Sequence, residues 1–168
     1  KYISGNNKQS QKIEMTTPVN VTEIENQFVM QFYLPKRFQK LFKYISGNNK
    51  QSQKIEMTTP VNVTEIENQF VMQFYLPKRF QQNEIPLPSD KSVKISTIEP
   101  GYFAVIRYSG FASDKNFHKH REILKSELNA DDIKVLGSAI KATYDGPFTL
   151  PNLRRNEAIY LVDWNEPL

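Results

Sequence analysis

KYISGNNKQSQKIEMTTPVNVTEIENQFVMQFYLPKRFQ stands at Lys1–Gln39 and again, without a difference, at Lys43–Gln81, an offset of 42 residues. The joint between the copies is Lys40, Leu41 and Phe42. Natural repeat arrays hold their packing positions and drift elsewhere, because only the packing face is constrained. Two undiverged copies are therefore no solenoid signature. They read as one segment that belongs to a fold continuing to Leu168, at 41–168, and one extra segment, at 1–40, that must find a place in it.

Copy two carries the local structure. In Lys54–Val63, Ile55, Met57 and Thr59 share one side of a period-two run until Pro60, so this reads as a kinked strand. Glu65, Glu67 and Asn68 make a polar turn, and Gln69–Leu76 returns as an aromatic-rich strand, giving a hairpin that Pro77 ends. Proline and acidic residues make Gln81–Lys91 a loop.

Beyond it, Ser92–Ile98 and Tyr102–Tyr108 read as strands joined by Pro100-Gly101, the second closed by Ser109-Gly110. Ser113 then suits an N-cap, with Phe117, Arg121, Leu124 and Leu128 at helical spacing up to Asp131-Asp132. Val135–Tyr144, running through Gly137, and Ala158–Asp163 read as the remaining strands. At the joint, Phe38, Leu41, Phe42 and Ile45 predict an amphipathic helix over Arg37–Ile45, stopped by Ser46-Gly47-Asn48-Asn49. The class is α+β.

Composition narrows the function. The 168 residues are 39% hydrophobic with eleven Phe and eight Tyr, enough for a packed core. The absence of cysteine removes disulfides, thiolate metal sites and cysteine nucleophiles. A net charge of +4, with scattered lysines and arginines, predicts a solvated surface rather than a nucleic-acid face. No apolar run has the length of a membrane span and residues 1–12 are too polar for a signal peptide; no compartment marker is present, so location stays open, with the cytoplasm favoured and a lost targeting segment as the alternative. No HExxH, phosphate loop or nucleophile elbow occurs, which makes an enzyme the weaker class.

Four blocks in order, LFKYISGNNKQSQKIEMTTPV (Leu41–Val61), FVMQFYLPKRFQ with LPSD after it (Phe70–Asp90), RYSGFAS (Arg107–Ser113) and YDGPFTLPNLRRNEAIYLV (Tyr144–Val162), resemble the SOUL/haem-binding-protein family over Leu41–Asp163. The resemblance implies a distorted antiparallel β-barrel or saddle with two helices, built from two βαββ-like halves and similar to bacterial effector-binding domains. The family's first strand is replaced here by the duplicated hairpin. Gln27–Leu34, aromatic and β-branched and leading into the junction helix, is the segment expected to fill the vacated edge, with Lys1–Lys12 loosely attached. A monomer or a strand-swapped dimer follows.

The function implied by the resemblance is non-catalytic, reversible binding of haem or another tetrapyrrole on an apolar surface with a basic rim. The alternative is an effector-binding-like module for apolar cationic ligands or protein partners. Lys43 sits where relatives carry a basic residue at the rim of the site, beside Tyr44, and Lys36 and Arg37 could add charge nearby. His118 and His120 lie two apart on a helix and point about 200° away from each other, so they cannot clamp one metal ion and are expected to be solvated rather than haem ligands. Arg154 and Arg155 are expected to pin the long Gly146–Leu153 turn through its carbonyls and Glu157.

Overall fold

The computed structural model describes residues 19–24, 27–34, 39–67, 69–81 and 85–164. They fall into two compact units, Asn26–Glu99 and Lys1–Glu25 with Pro100–Leu168. Lys1–Lys12, Lys36, Arg37 and Phe38 lie outside the described residues.

The unit of Asn26–Glu99 contains β2 (Gln27–Leu34), α1 (Gln39–Ile45), β3 (Val61–Ile66), β4 (Gln69–Tyr75) and β5 (Val93–Ile98). β3 and β4 form the expected hairpin, with Ile66 opposite Gln69 and Glu67 in the left-handed region at φ 49°, the backbone sign that a two-residue hairpin turn demands. β3 starts only at Val61, because Pro60 has no N–H to give to a ladder. Lys54–Thr59 approaches it as irregular chain, anchored by the Ile55 N–H on the Ile45 carbonyl at 2.8 Å and by the Thr58 hydroxyl on the Tyr75 carbonyl. β2 pairs antiparallel with β4 on one side and β5 on the other, which is an interior position, whereas the sequence suggested an edge. Leu41, Tyr44, Ile45, Ile55, Met72, Phe74, Leu76, Phe80 and Val93 form this unit's core.

α1 differs in facing from expectation. Leu41, Tyr44 and Ile45, at i, i+3 and i+4, are buried, and Phe42 is 61% exposed. Tyr44 takes the inward place because its hydroxyl finds the Pro86 carbonyl at 2.5 Å, so an aromatic ring and its polar end are both satisfied inside. Gly47, at φ 109°, ends the helix, with its N–H on Tyr44 O and the Asn48 N–H on Lys43 O.

The other unit holds β1 (Val19–Ile24), β6 (Gly101–Tyr108), α2 (Asp114–Ala130), β7 (Lys134–Val135), β8 (Ile140–Thr143) and β9 (Asn156–Asp163). Its order is β1-β6-β9-β8, with β7 also on β9. Ser113 caps α2 through its side chain on the Asn116 N–H, and Phe117, Leu124 and Leu128 face inward against Ala104, Ile106 and Tyr108 of β6 and Ala158, Tyr160 and Val162 of β9. Each fully buried leucine contributes about 1.5–3 kcal/mol. The strand expected at Val135–Tyr144 is split. Val135 opposes Val162 and Ile140 opposes Ile159, so five steps on this segment match three on β9, and the two surplus residues bulge around Gly137.

The fold is thus mixed α and β, with an antiparallel sheet and two helices among the described residues, as the sequence implies. Within each unit the strands follow one another in a linear antiparallel order.

Candidate functional site

Two loops of the second unit lie tied together. Gly110, at φ 98°, donates its N–H to the Pro151 carbonyl at 2.7 Å and accepts from Asn156 Nδ2 at 3.1 Å. A Cβ there would stand 3.0 Å from Asn116 Nδ2, whose amide is already shared between the Ser109 and Phe111 carbonyls at 3.0 Å each. Only glycine meets both demands. The Ser109–Ser113 loop is thereby fixed against the turn that leads to Leu153.

That turn is built on charged side chains. Arg154 donates Nε to the Thr149 carbonyl at 2.7 Å and an Nη2 hydrogen to the Pro147 carbonyl at 2.6 Å. Arg155 places Nε at 2.8 Å and Nη2 at 2.7 Å from one oxygen of the buried Glu157, while the Tyr144 hydroxyl donates to the other at 2.7 Å. The Arg155 guanidinium also lies 4.0 Å from the Tyr144 ring centroid, and its backbone N–H bonds Asp145. With both oxygens of its carboxyl engaged, Glu157 anchors the base of the turn. The pinning role expected for Arg154, Arg155 and Glu157 is what these bonds perform.

On this scaffold, apolar side chains face outward. Phe111 is 64%, Phe148 98%, Leu150 63% and Leu153 67% exposed. Arg154 stands beside Phe111, its guanidinium carbon 5.5 Å from the ring centroid. Two of its five N–H groups are committed to Thr149 and Pro147, which leaves donors for an anion arriving at the apolar face. These residues escaped the sequence reading, although a signal was there: a turn rich in glycine and proline should be polar, and DGPFTLPNL places Phe148, Leu150 and Leu153 in it instead.

The residues singled out from the sequence are placed differently. Lys43 is exposed in the last turn of α1, and its sequence neighbour Phe42 is exposed as well. Tyr44 is 2% exposed and its hydroxyl is spent on Pro86, so it serves the core and not a ligand surface. Burial pushes that hydroxyl up to about 12. Lys36 and Arg37, the remaining rim candidates, lie outside the described residues. His118 is exposed on α2. His120 stacks on Tyr108 with centroids 4.1 Å apart and planes 6° apart, and Nδ1 sits 2.8 Å from the Asn116 carbonyl, which makes Nδ1 the protonated nitrogen. Among the described residues no group of three His, Cys, Asp or Glu side chains is placed to hold a metal ion, and no helix is long and apolar enough to cross a membrane.

Solved structures share this fold at low identity. The C-terminal domain of EcmrR has a TM-score of 0.64 at 11% identity, covering 89% of this chain and 99% of its own. A hydrolase from Listeria innocua has a TM-score of 0.59 at 6% identity, covering 86% and 91%. SAV2435, solved bound to tetraphenylphosphonium, has a TM-score of 0.52 at 7% identity, covering 86% and 93%. Such identities speak to the fold alone. No curated protein matches the chain. The SOUL heme-binding protein family matches residues 1–40 and then 36–161, taking each copy of the repeat separately, and to that family the chain belongs.

Proposed function

We propose that this protein binds haem or a related tetrapyrrole reversibly and without catalysing a reaction on it. The observation that carries this reading is the exposure of four apolar side chains, Phe111, Phe148, Leu150 and Leu153, on two loops tied together, with Arg154 over Phe111. A tetrapyrrole is a flat apolar ring with carboxylates on one side. Covering outward-facing Phe and Leu side chains with such a ring removes apolar surface from water, at about 25 cal/mol per Å². A charge-assisted bond from Arg154 to a propionate would add about 1.5–3 kcal/mol and fix the orientation. Family membership agrees with this chemistry. Lys43, exposed in the last turn of α1, is a separate candidate cation on the other unit.

When bound, haem would supply an iron and a carboxylate-bearing ring, with Phe111, Phe148, Leu150 and Leu153 to cover the ring and Arg154 to meet a carboxylate. His120 is committed to Tyr108 and Asn116, and Glu157 is held by Arg155 and Tyr144, so the chain's own part is to present a surface and counter-charges. The alternative, a module for apolar cations, draws support from the shared fold of SAV2435. Charge argues against it at this face, because the guanidinium of Arg154 repels a cation and attracts a carboxylate.

Hemin titration of the full chain tests the proposal. The expected result is a saturable shift of the Soret band without a six-coordinate bis-histidine spectrum, and with weaker or no binding of tetraphenylphosphonium. A folded protein that gives no saturable change with hemin overturns it. Tight tetraphenylphosphonium binding with no hemin response would favour the alternative.

A further inference from the structure

VNVTEIENQFVMQFYL occurs twice, and the two occurrences pair in opposite ways. At 61–76 it closes on itself as the β3–β4 hairpin, Val61 opposite Phe74 and Ile66 opposite Gln69. At 19–34 the described strands instead reach for others: β1 pairs with β6, Val19 opposite Ile106 through Ile24 opposite Gly101, and β2 pairs with β4 and with β5. One sequence therefore has a closed form and an open form, both present in the same molecule. Since covalent structure and propensity are identical, only the available partners separate the two forms.

The β2–β4 pair is also symmetric. Val29 faces Tyr75, Met30 faces Phe74, Gln31 faces Gln73, Phe32 faces Met72 and Tyr33 faces Val71, so each strand presents the other with its own duplicate in reverse. That is the pattern of an isologous interface, the kind two copies of one chain make. We infer that the opened copy-one segment is an exchangeable arm, and that its partner is a second copy of this chain. In the exchanged dimer the β1–β2 arm of each molecule occupies the β6 edge and the β4–β5 slot of the other. The vacated slot accepts QFVMQFYL in the register already seen, and an arm in transit folds as the closed hairpin that β3–β4 exemplifies. Both molecules keep every strand pair. The cost is translational entropy alone, so the monomer prevails in dilute solution and the exchanged dimer gains as protein concentration approaches the effective concentration of the tethered arm, about millimolar.

The chain has no cysteine, which makes the test clean. In the full chain, Gln31→Cys and Gln73→Cys place thiols on directly opposed residues, a spacing a disulfide can span. The double variant, equilibrated and then oxidised, should give a covalent monomer at about micromolar concentration and a several-fold larger share of covalent dimer at about millimolar. Mixed single variants should give the heterodisulfide in several-fold excess over either homodisulfide. The unsubstituted chain, mixed as light and isotopically heavy protein, should show hybrid dimers by native mass spectrometry only at the high concentration. Covalent monomer at both concentrations overturns the inference. So does a homodisulfide as abundant as the heterodisulfide, or an absence of hybrid dimers in the unsubstituted protein.

Discussion

Gln31 stands directly opposite Gln73 in the pairing of β2 with β4, one residue facing its own duplicate 42 positions away. Around this pair, the counterparts Val29 and Val71 are both buried, at 1% and 0% exposure. The copy-one strand is thus as much a part of its sheet as the copy-two strand. Val29→Ala and Val71→Ala should each destabilise the protein by about 1.5–3 kcal/mol in urea unfolding. A Val29→Ala variant as stable as the parent would show that β2 adds nothing to the fold.

Tyr108 is buried with no hydrogen-bond partner for its hydroxyl among the described residues, and its ring is stacked on His120. An orphan hydroxyl inside a protein costs about 1–3 kcal/mol. Tyr108→Phe keeps the ring and removes the cost, so thermal unfolding should show a midpoint equal to or above that of the parent. A clear drop would mean that the hydroxyl has a partner.

Alkaline stability should report on Tyr44. Burial raises its hydroxyl to about 12, against 10.0 in an ordinary tyrosine. The folded value lies above the unfolded one, so the contribution is complete below pH 10 and is lost as pH rises toward 12, at up to about 1.4 kcal/mol per pH unit. Urea midpoints for Tyr44→Phe should fall less steeply over this window than those of the parent. Tyr160 is shifted upward as well, mainly by burial, so some slope remains. Identical slopes would place the Tyr44 hydroxyl in water.

Glu157→Gln removes the charge that Arg155 and Tyr144 engage at the base of the loops. Arg155 is part-exposed and can turn to water, which limits the loss to about 1–3 kcal/mol. Chemical denaturation measures it. Weaker hemin binding should accompany it, because the Gly146–Leu153 turn rests on this group.

Phe148 is 98% exposed, so Phe148→Ser should leave the thermal midpoint unchanged while lowering hemin affinity several-fold. Arg154→Ala should lower affinity too, but with a loss of stability, since its bonds to Thr149 and Pro147 hold the turn. Lys43→Glu separates the two surfaces: reduced hemin binding would implicate α1, and unchanged binding would leave the ligand to the loops alone.

The α2 helix shows how far local signals reach. Ser113, Phe117, Leu124 and Leu128 were enough to set its start and its buried face, because a cap and a 3.6-residue period are written along one segment. The Arg154 and Arg155 turn was legible for a similar reason, since its carbonyls and Glu157 are sequence neighbours. Tyr44 was misread as a rim residue and Phe42 as core. On a helix of seven residues the buried face depends on a distant acceptor, the Pro86 carbonyl, that no local pattern reveals. The outward apolar face of Phe111, Phe148, Leu150 and Leu153 was likewise hidden, because two loops 32 or more residues apart in sequence meet through one bond from Gly110 to Pro151.

VNVTEI and QFVMQFYL became strands at both of their positions, so their local conformation was determined by the sequence itself through β-branched and aromatic alternation. Their partners were not. One copy closed as β3–β4, and the other gave β1 to β6 and β2 to β4 and β5, although no residue differs between them. A strand's backbone donors and acceptors accept any partner that supplies register and an apolar face. The choice therefore belongs to the tertiary structure, which assigns each strand to the sheet edge or slot that the rest of the chain leaves open.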